Sequence, residues 1–126
     1  MVLAGHRVKL FCYDKIDNAP SGVEICNAEP ILSMSTFARI NRYFPDRAPK
    51  ITVLQFSDLF RVMLMKHGQG AWLDTDVYLI KRFKPSPAVP YLAREDFTRL
   101  GVSALYLPCD NPIIADFDMY IQGTEI

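Results

Sequence analysis

Asp74 and Asp76 stand one residue apart inside the run GAWLDTDVYLI, whose other members are mostly apolar. An ionised carboxylate is costly to bury without a partner. Two held close together repel until one is driven to protonate. If the strand stays extended through Thr75, the alternation of side chains brings both acids to one face. A divalent cation that prefers oxygen ligands, Mg²⁺ or Mn²⁺, would relieve that conflict. Two carboxylates rarely fill the shell of such an ion, so water or a ligand phosphate would complete it. The plainer alternative is a turn with two solvated aspartates at a strand end.

The neighbours of this pair sharpen the choice. Upstream, Phe56, Leu59, Phe60, Met63 and Leu64 recur at i, i+3, i+4, i+7 and i+8, which predicts a helix from about 53 to 67 with one buried face. Ser57, Asp58, Arg61 and Met65 lie beside that stripe. Lys66 and His67 fall in the last turn, where cations suit the helix dipole, and Gly68 is a natural C-terminal cap. Asp58 and Arg61, at i and i+3, form either a surface ion pair or a donor-and-acceptor pair for a polar ligand. Gly68 and Gly70 make a tight connection into the strand. The acids then fall at the strand's carboxyl end, where α/β sheets bind ligands.

Other elements must hold these in place. RVKLFCY, residues 7 to 13, predicts a strand, followed by a loop through DKIDNAPSG and a short strand at VEIC. AEPILSMSTFARINRYF predicts a helix with Pro30 near its start, broken by PDRAPK. AWL predicts an apolar strand that resumes as VYLI after the acids, and KRFKPSPAVP is a proline-rich connection. PYLARED and VSALYLP predict two more strands, and CDNPIIADFDMYIQ a closing helix with Asn111 as cap and Pro112 at its first position. Alternating strands and helices give an α/β class with a mostly parallel sheet. Residues 1 to 126 make a single domain. LAGH looks like the tail of a helix and GTEI follows closely on one, so a domain incomplete at both ends is expected.

Composition narrows the partners. Lys plus Arg equals Asp plus Glu, 14 each, which leaves no bulk electrostatic footprint for nucleic acid or an anionic membrane. No run approaches the ~20 apolar residues of a membrane span, and no leader pattern opens the chain. A cytoplasmic location follows as the expectation, with a peripheral position at the inner membrane face as a variant. Cys12, Cys26 and Cys109 are scattered and form no CxxC pair, and His6 and His67 supply no zinc spacing. Three buried or half-buried thiols in a reducing compartment are expected.

The segment FSDLFRVMLMKHGQGAWLDTDVYLIKRF, residues 56 to 83, resembles the DXD sugar-binding region of glycosyltransferases related to initiation mannosyltransferase and to α-1,4-galactosyl and N-acetylglucosaminyltransferases. Ser57-Asp58, Arg61, Gly70, Trp72, Leu73, Asp74 and Asp76 fall in the family's order, with Gln69-Gly70 where Gly-Gly is usual. GHRVKLFCYD upstream and ALYLPCDNPI downstream are similar as well. The resemblance implies a Rossmann-like GT-A fold, a nucleotide-diphosphate sugar donor (commonly UDP-linked), and Mn²⁺ or Mg²⁺. It implies transfer to an acceptor glycan or lipid-linked saccharide, mostly with retention of configuration. Carried onto this chain, Asp76 would bind the metal and Asp74 would assist it while contacting the donor. Asp58 and Arg61 would hydrogen-bond the transferred sugar. No residue is assigned to catalysis itself. Tyr13 and Asp14 either face the nucleotide base or merely end a strand; Glu95 and Asp96 either reach the acceptor side or merely follow one. Trp72 suits the core better than a stacking platform. The alternative is a non-catalytic relic that keeps the motif as a binding or structural element. Metal-dependent nucleotidyl transfer, which also uses such acids, would need a basic template channel that a neutral chain does not offer.

Overall fold

A computed structural model describes residues 1–46 and 48–123, apart from the Pro49 side chain. A short 3-10 turn at Val2–Ala4 stands where LAGH suggested a helix end, closed by Gly5 at φ 82°. Strand β1 (Val8–Cys12) pairs in parallel with β2 (Val23–Asn27), from Val8 opposite Val23 to Cys12 opposite Asn27. Arg7 and Glu24 close an exposed ion pair across them at 2.7 Å.

Helix α1 (Met34–Tyr43) starts four residues after Pro30. A side-chain cap decides the point of entry. Ser33 accepts a hydrogen bond from the Ser35 N–H, while the Glu29 carboxylate accepts from the Ser33 hydroxyl and the Met34 N–H. Those bonds hold the Glu29 carboxyl below its ordinary value.

Helix α2 (Pro49–Lys66) begins earlier than the periodicity predicts. Pro49 does not break the chain; at the first helical position its missing N–H costs nothing. The buried face is also wider than one stripe. Leu59, Phe60, Arg61, Val62, Met63, Leu64 and Met65 are all buried, so the last turns of α2 are enclosed nearly all round. The helix ends in a Schellman arrangement: Gly68 N–H bonds Met65 O, Gln69 N–H bonds Leu64 O, and Gly68 sits at φ 62°.

The second sheet overturns the mostly parallel expectation. Strand β3 (Trp72–Leu73), β4 (Tyr91–Arg94) and β5 (Leu100–Tyr106) form an antiparallel sheet in the order β3-β5-β4. PYLARED and VSALYLP are therefore the two arms of a hairpin. Its turn is built by Asp96, whose carboxylate accepts from the Thr98 and Arg99 N–H groups and the Thr98 hydroxyl. The hairpin's register slips between Leu92 and Ala93. VYLI forms no strand, and Tyr78 and Ile80 are exposed.

Helix α3 (Pro112–Gly123) opens as expected, with Asn111 Oδ1 accepting from the Ile113 N–H. The whole is a mixed α/β architecture, one sheet parallel and one antiparallel. α2 is common to both halves: it packs on α1, α3 and β5, while Phe11 and Tyr13, at the end of β1, lie against its Phe60. No helix among the described residues is long and apolar enough to cross a membrane.

Candidate functional site: an arginine between two acids beside a cleft

Arg61 is the centre of the site. It is 8 % exposed, a low figure for a charged side chain, and every branch of its guanidinium has a partner. One terminal nitrogen donates to Val102 O at 2.8 Å and to Asp74 Oδ1 at 3.4 Å. The other donates to Ser57 Oγ at 3.2 Å and stands 3.4 Å from Asp58 Oδ1. Nε reaches Ser57 O at 3.4 Å, and the guanidinium carbon lies 4.9 Å from the centre of the Trp72 ring. The i, i+3 pair with Asp58 is thus one edge of a wider network, not an isolated surface contact.

The partners come from α2 itself, from β3 and the residue after it, and from β5. Asp58 and Ser57 sit one turn before Arg61 on α2. Asp74 follows β3, where its N–H donates to Ser103 O at 2.8 Å and so extends the pairing with β5 by one bond. Trp72 donates its indole N–H to Asp74 Oδ1 at 2.6 Å. Trp72 packs its ring against the core, as expected, and adds a role the sequence did not suggest, since its polar edge holds the acid.

The two aspartates do not share a strand face. The Val77 N–H donates to Asp74 O at 3.0 Å, closing a turn over Asp74-Thr75-Asp76-Val77. The extended conformation through Thr75 is lost at the first acid. Asp76 is exposed within the turn, whereas Asp74 is half-buried behind it. Asp74 also has a resident counter-charge in Arg61, so a metal is not needed to make its burial tolerable. The structure brings Asp58, Arg61 and Asp74 into one cluster and leaves Asp76 at its solvent edge.

Asp74 receives both of its side-chain contacts on Oδ1, which leaves Oδ2 open, and Asp76 offers a solvent-facing carboxylate. Oxygen ligands of this kind suit Mn²⁺ or Mg²⁺. Among the described residues no group of three or more His, Cys, Asp or Glu stands together, so any such ion would draw its remaining ligands from water and a bound phosphate.

A cleft of about 330 Å³ opens against Asp74. Arg94, Glu95, Leu100, Gly101, Val102 and Ser103 line the rest of it. Of the two downstream acids, Glu95 faces this space and Asp96 is consumed by the hairpin turn, where its bonds to Thr98 and Arg99 hold its carboxyl below the ordinary range. Arg94 and Ser103 were not legible as site residues, because the register slip that exposes them has no local sequence signal. Tyr13 is turned to the core: its hydroxyl donates to Leu32 O at 2.6 Å, and burial, helped by the Glu29 carboxylate, pushes it up to about 12. A base-facing role for Tyr13 is thereby displaced; Asp14 is exposed. Cys12 and Cys26 are half-buried free thiols, while Cys109 is exposed, contrary to the expectation of burial.

Comparison with protein-family models, with curated proteins and with solved structures finds no match to this chain.

Proposed function

We propose that this chain is the donor-binding domain of a metal-dependent glycosyltransferase of the GT-A type. It would take a nucleotide-diphosphate sugar, with UDP the first nucleotide to try, and serve transfer to a glycan or lipid-linked saccharide. The observation that carries the reading is the buried Arg61 guanidinium joined to both Asp58 and Asp74 beside a cleft. A carboxylate of 57 % exposure at Asp58 accepts hydrogen bonds from sugar hydroxyls, and a fixed guanidinium holds that carboxylate in position. Asp76 and Oδ2 of Asp74 are the residues that would hold Mn²⁺ or Mg²⁺. When bound, the ion would supply positive charge where the diphosphate leaving group becomes negative.

The chain's own groups have clear tasks in this reading. Trp72 and Arg61 fix Asp74 so that only one of its oxygens faces the ligand. The resemblance gives Arg61 a hydrogen bond to the transferred sugar, but in this reading its donors are already taken by Ser57, Asp74 and Val102. It acts as the support for two acids.

One observation favours a second reading. Asp74 Oδ1 is satisfied inside the chain, at 2.6 Å from the indole N–H, as a purely structural acid would be. The domain would then be a relic that keeps the motif for folding. Calorimetric titration with UDP-glucose, UDP-galactose, UDP-N-acetylglucosamine and GDP-mannose, each with and without Mn²⁺, separates the two. The transferase reading expects Mn²⁺-dependent binding of at least one donor, weakened tenfold or more by Asp76→Ala with the fold intact. Absence of Mn²⁺-dependent binding across all four donors hands the case to the relic.

A further inference from the structure

The cleft beside Asp74 exists because of a defect in the hairpin. Leu92 stands opposite Leu105, yet the next residue, Ala93, stands opposite Gly101. Val102, Ser103 and Ala104 therefore have no opposite number on β4. On that stretch Val102 O accepts from the Arg61 guanidinium, while Ser103 O keeps its ladder bond to the Asp74 N–H on the β3 edge. Irregularities of this kind are common beside functional sites because they re-aim side chains. Here the slip carries Glu95 to the mouth of the space. Gly101 is its neighbour there: a Cβ at that position would meet the Glu95 Cβ at 3.5 Å, an ordinary contact.

We propose that this cleft binds a single saccharide unit, with Glu95 as a residue that selects it. The inference rests on the transferase reading for the class of ligand and adds a subsite and a residue to it. Three features of the lining support the choice. Its volume, about 330 Å³, is at the lower end for small-molecule sites and suits one sugar ring, not a whole nucleotide sugar. Its side chains are mixed in the way a polyol requires. Glu95 accepts, Arg94 donates, and Ser103 does either; Leu100 and Val102 offer apolar surface to ring C–H groups. Among the described residues, the Arg94, Glu95 and Ser103 side chains have no hydrogen-bond or ion-pair partner, so they are available. The charge balance argues against an anion: Asp74 and Glu95 outnumber Arg94, and Arg61 is already engaged behind the wall.

The sugar could belong to the donor or to the acceptor, and the experiment has an arm for each. Methyl α-glycosides of glucose, galactose, mannose and N-acetylglucosamine are presented to the protein in saturation-transfer NMR, and UDP is compared with UDP-sugars by calorimetry. Glu95→Ala, Glu95→Gln and Asp76→Ala are tested alongside wild type, with folding checked by circular dichroism. Glu95 is exposed on a hairpin, so its variants are expected to fold. An acceptor site predicts glycoside binding that falls tenfold or more in Glu95→Ala, recovers partly in Glu95→Gln and is unchanged in Asp76→Ala. A donor-sugar site predicts that Glu95→Ala weakens a UDP-sugar while leaving UDP itself untouched. Binding of sugars that is indifferent to Glu95→Ala, or no response to any glycoside or sugar moiety, overturns the subsite. Loss of nucleotide binding in Asp76→Ala concerns the metal reading alone.

Discussion

Arg61 makes two ion pairs of the same length, 3.4 Å, yet they differ in worth. Asp58 is mostly in water, where the attraction is screened and worth less than about 1 kcal/mol. Asp74 is about one-third exposed and shares the guanidinium with the Val102 carbonyl. Removing the guanidinium takes the counter-charge from Asp74, whose Oδ1 keeps only the Trp72 indole, and a donor from both Val102 O and Ser57, whereas removing Asp58 strands nothing buried. Arg61→Ala is therefore expected to lower stability by about 2 to 4 kcal/mol in urea titration, and Asp58→Asn by less than about 1 kcal/mol. Equal losses would mean that the two contacts are equivalent after all. Tyr13 gives a second test at this scale. Burial, then the Glu29 carboxylate, holds its phenol protonated in the fold up to about 12, above the ordinary 10.0. The stability that this difference carries is complete below pH 10 and is lost as pH rises from 10 to 12. Melting temperature should fall across that window in wild type and fall less in Tyr13→Phe. Identical profiles would remove Tyr13 from the account.

At the scale of elements, what was legible in the sequence was what short-range chemistry decides. Asn111 followed by Pro112 announces α3 because a side-chain cap and a fixed φ act within one turn. Gly68 announces the end of α2 for the same reason, and its φ of 62° makes a prediction. No neighbouring atom stands near a Cβ at that position, so Gly68→Ala suffers only the left-handed backbone, about 1 kcal/mol; a neutral result would show that the cap relaxes. The antiparallel hairpin was not legible, because strand direction depends on the Asp96 turn, and an Asp two and three residues ahead of its N–H donors also fits an ordinary loop. Nor was the turn at Asp74–Val77 legible. Apolar residues on both sides imitate one continuous strand, and only the pairing of β3 with β5 shows where it stops. Asp58, Arg61 and Asp74, singled out by spacing and resemblance, stand in one cluster; Glu95 gained its neighbours from a register slip three residues deep that nothing local encodes.

At the scale of the molecule, no strand pairing among the described residues joins the two sheets, and α2 packs against both halves. Its Phe60 meets Phe11 and Tyr13, at the end of β1, with ring centres 6.1 Å apart in each case. Four residues along the opposite direction, Phe56 meets Tyr13 at 5.8 Å and Phe37 of α1 at 5.5 Å. The same helix carries Arg61, and through it reaches Trp72 and Asp74 on the antiparallel side. If one helix serves both sheets, neither sheet can unfold while leaving the other intact. The chain's single tryptophan makes this measurable, since Trp72 lies at the site and reports on the antiparallel half alone. Phe11→Ala removes a half-buried ring from the parallel half and should cost about 2 kcal/mol, less than a fully buried ring would. The expected outcome is that Trp72 fluorescence and far-ultraviolet circular dichroism move to the same lower urea midpoint, with unchanged slope, as in a two-state transition. A Trp72 midpoint that stays at its wild-type value while the dichroism shifts would show two independent units. The helix that sets Asp58 and Arg61 against Asp74 would then be anchored by the antiparallel sheet alone.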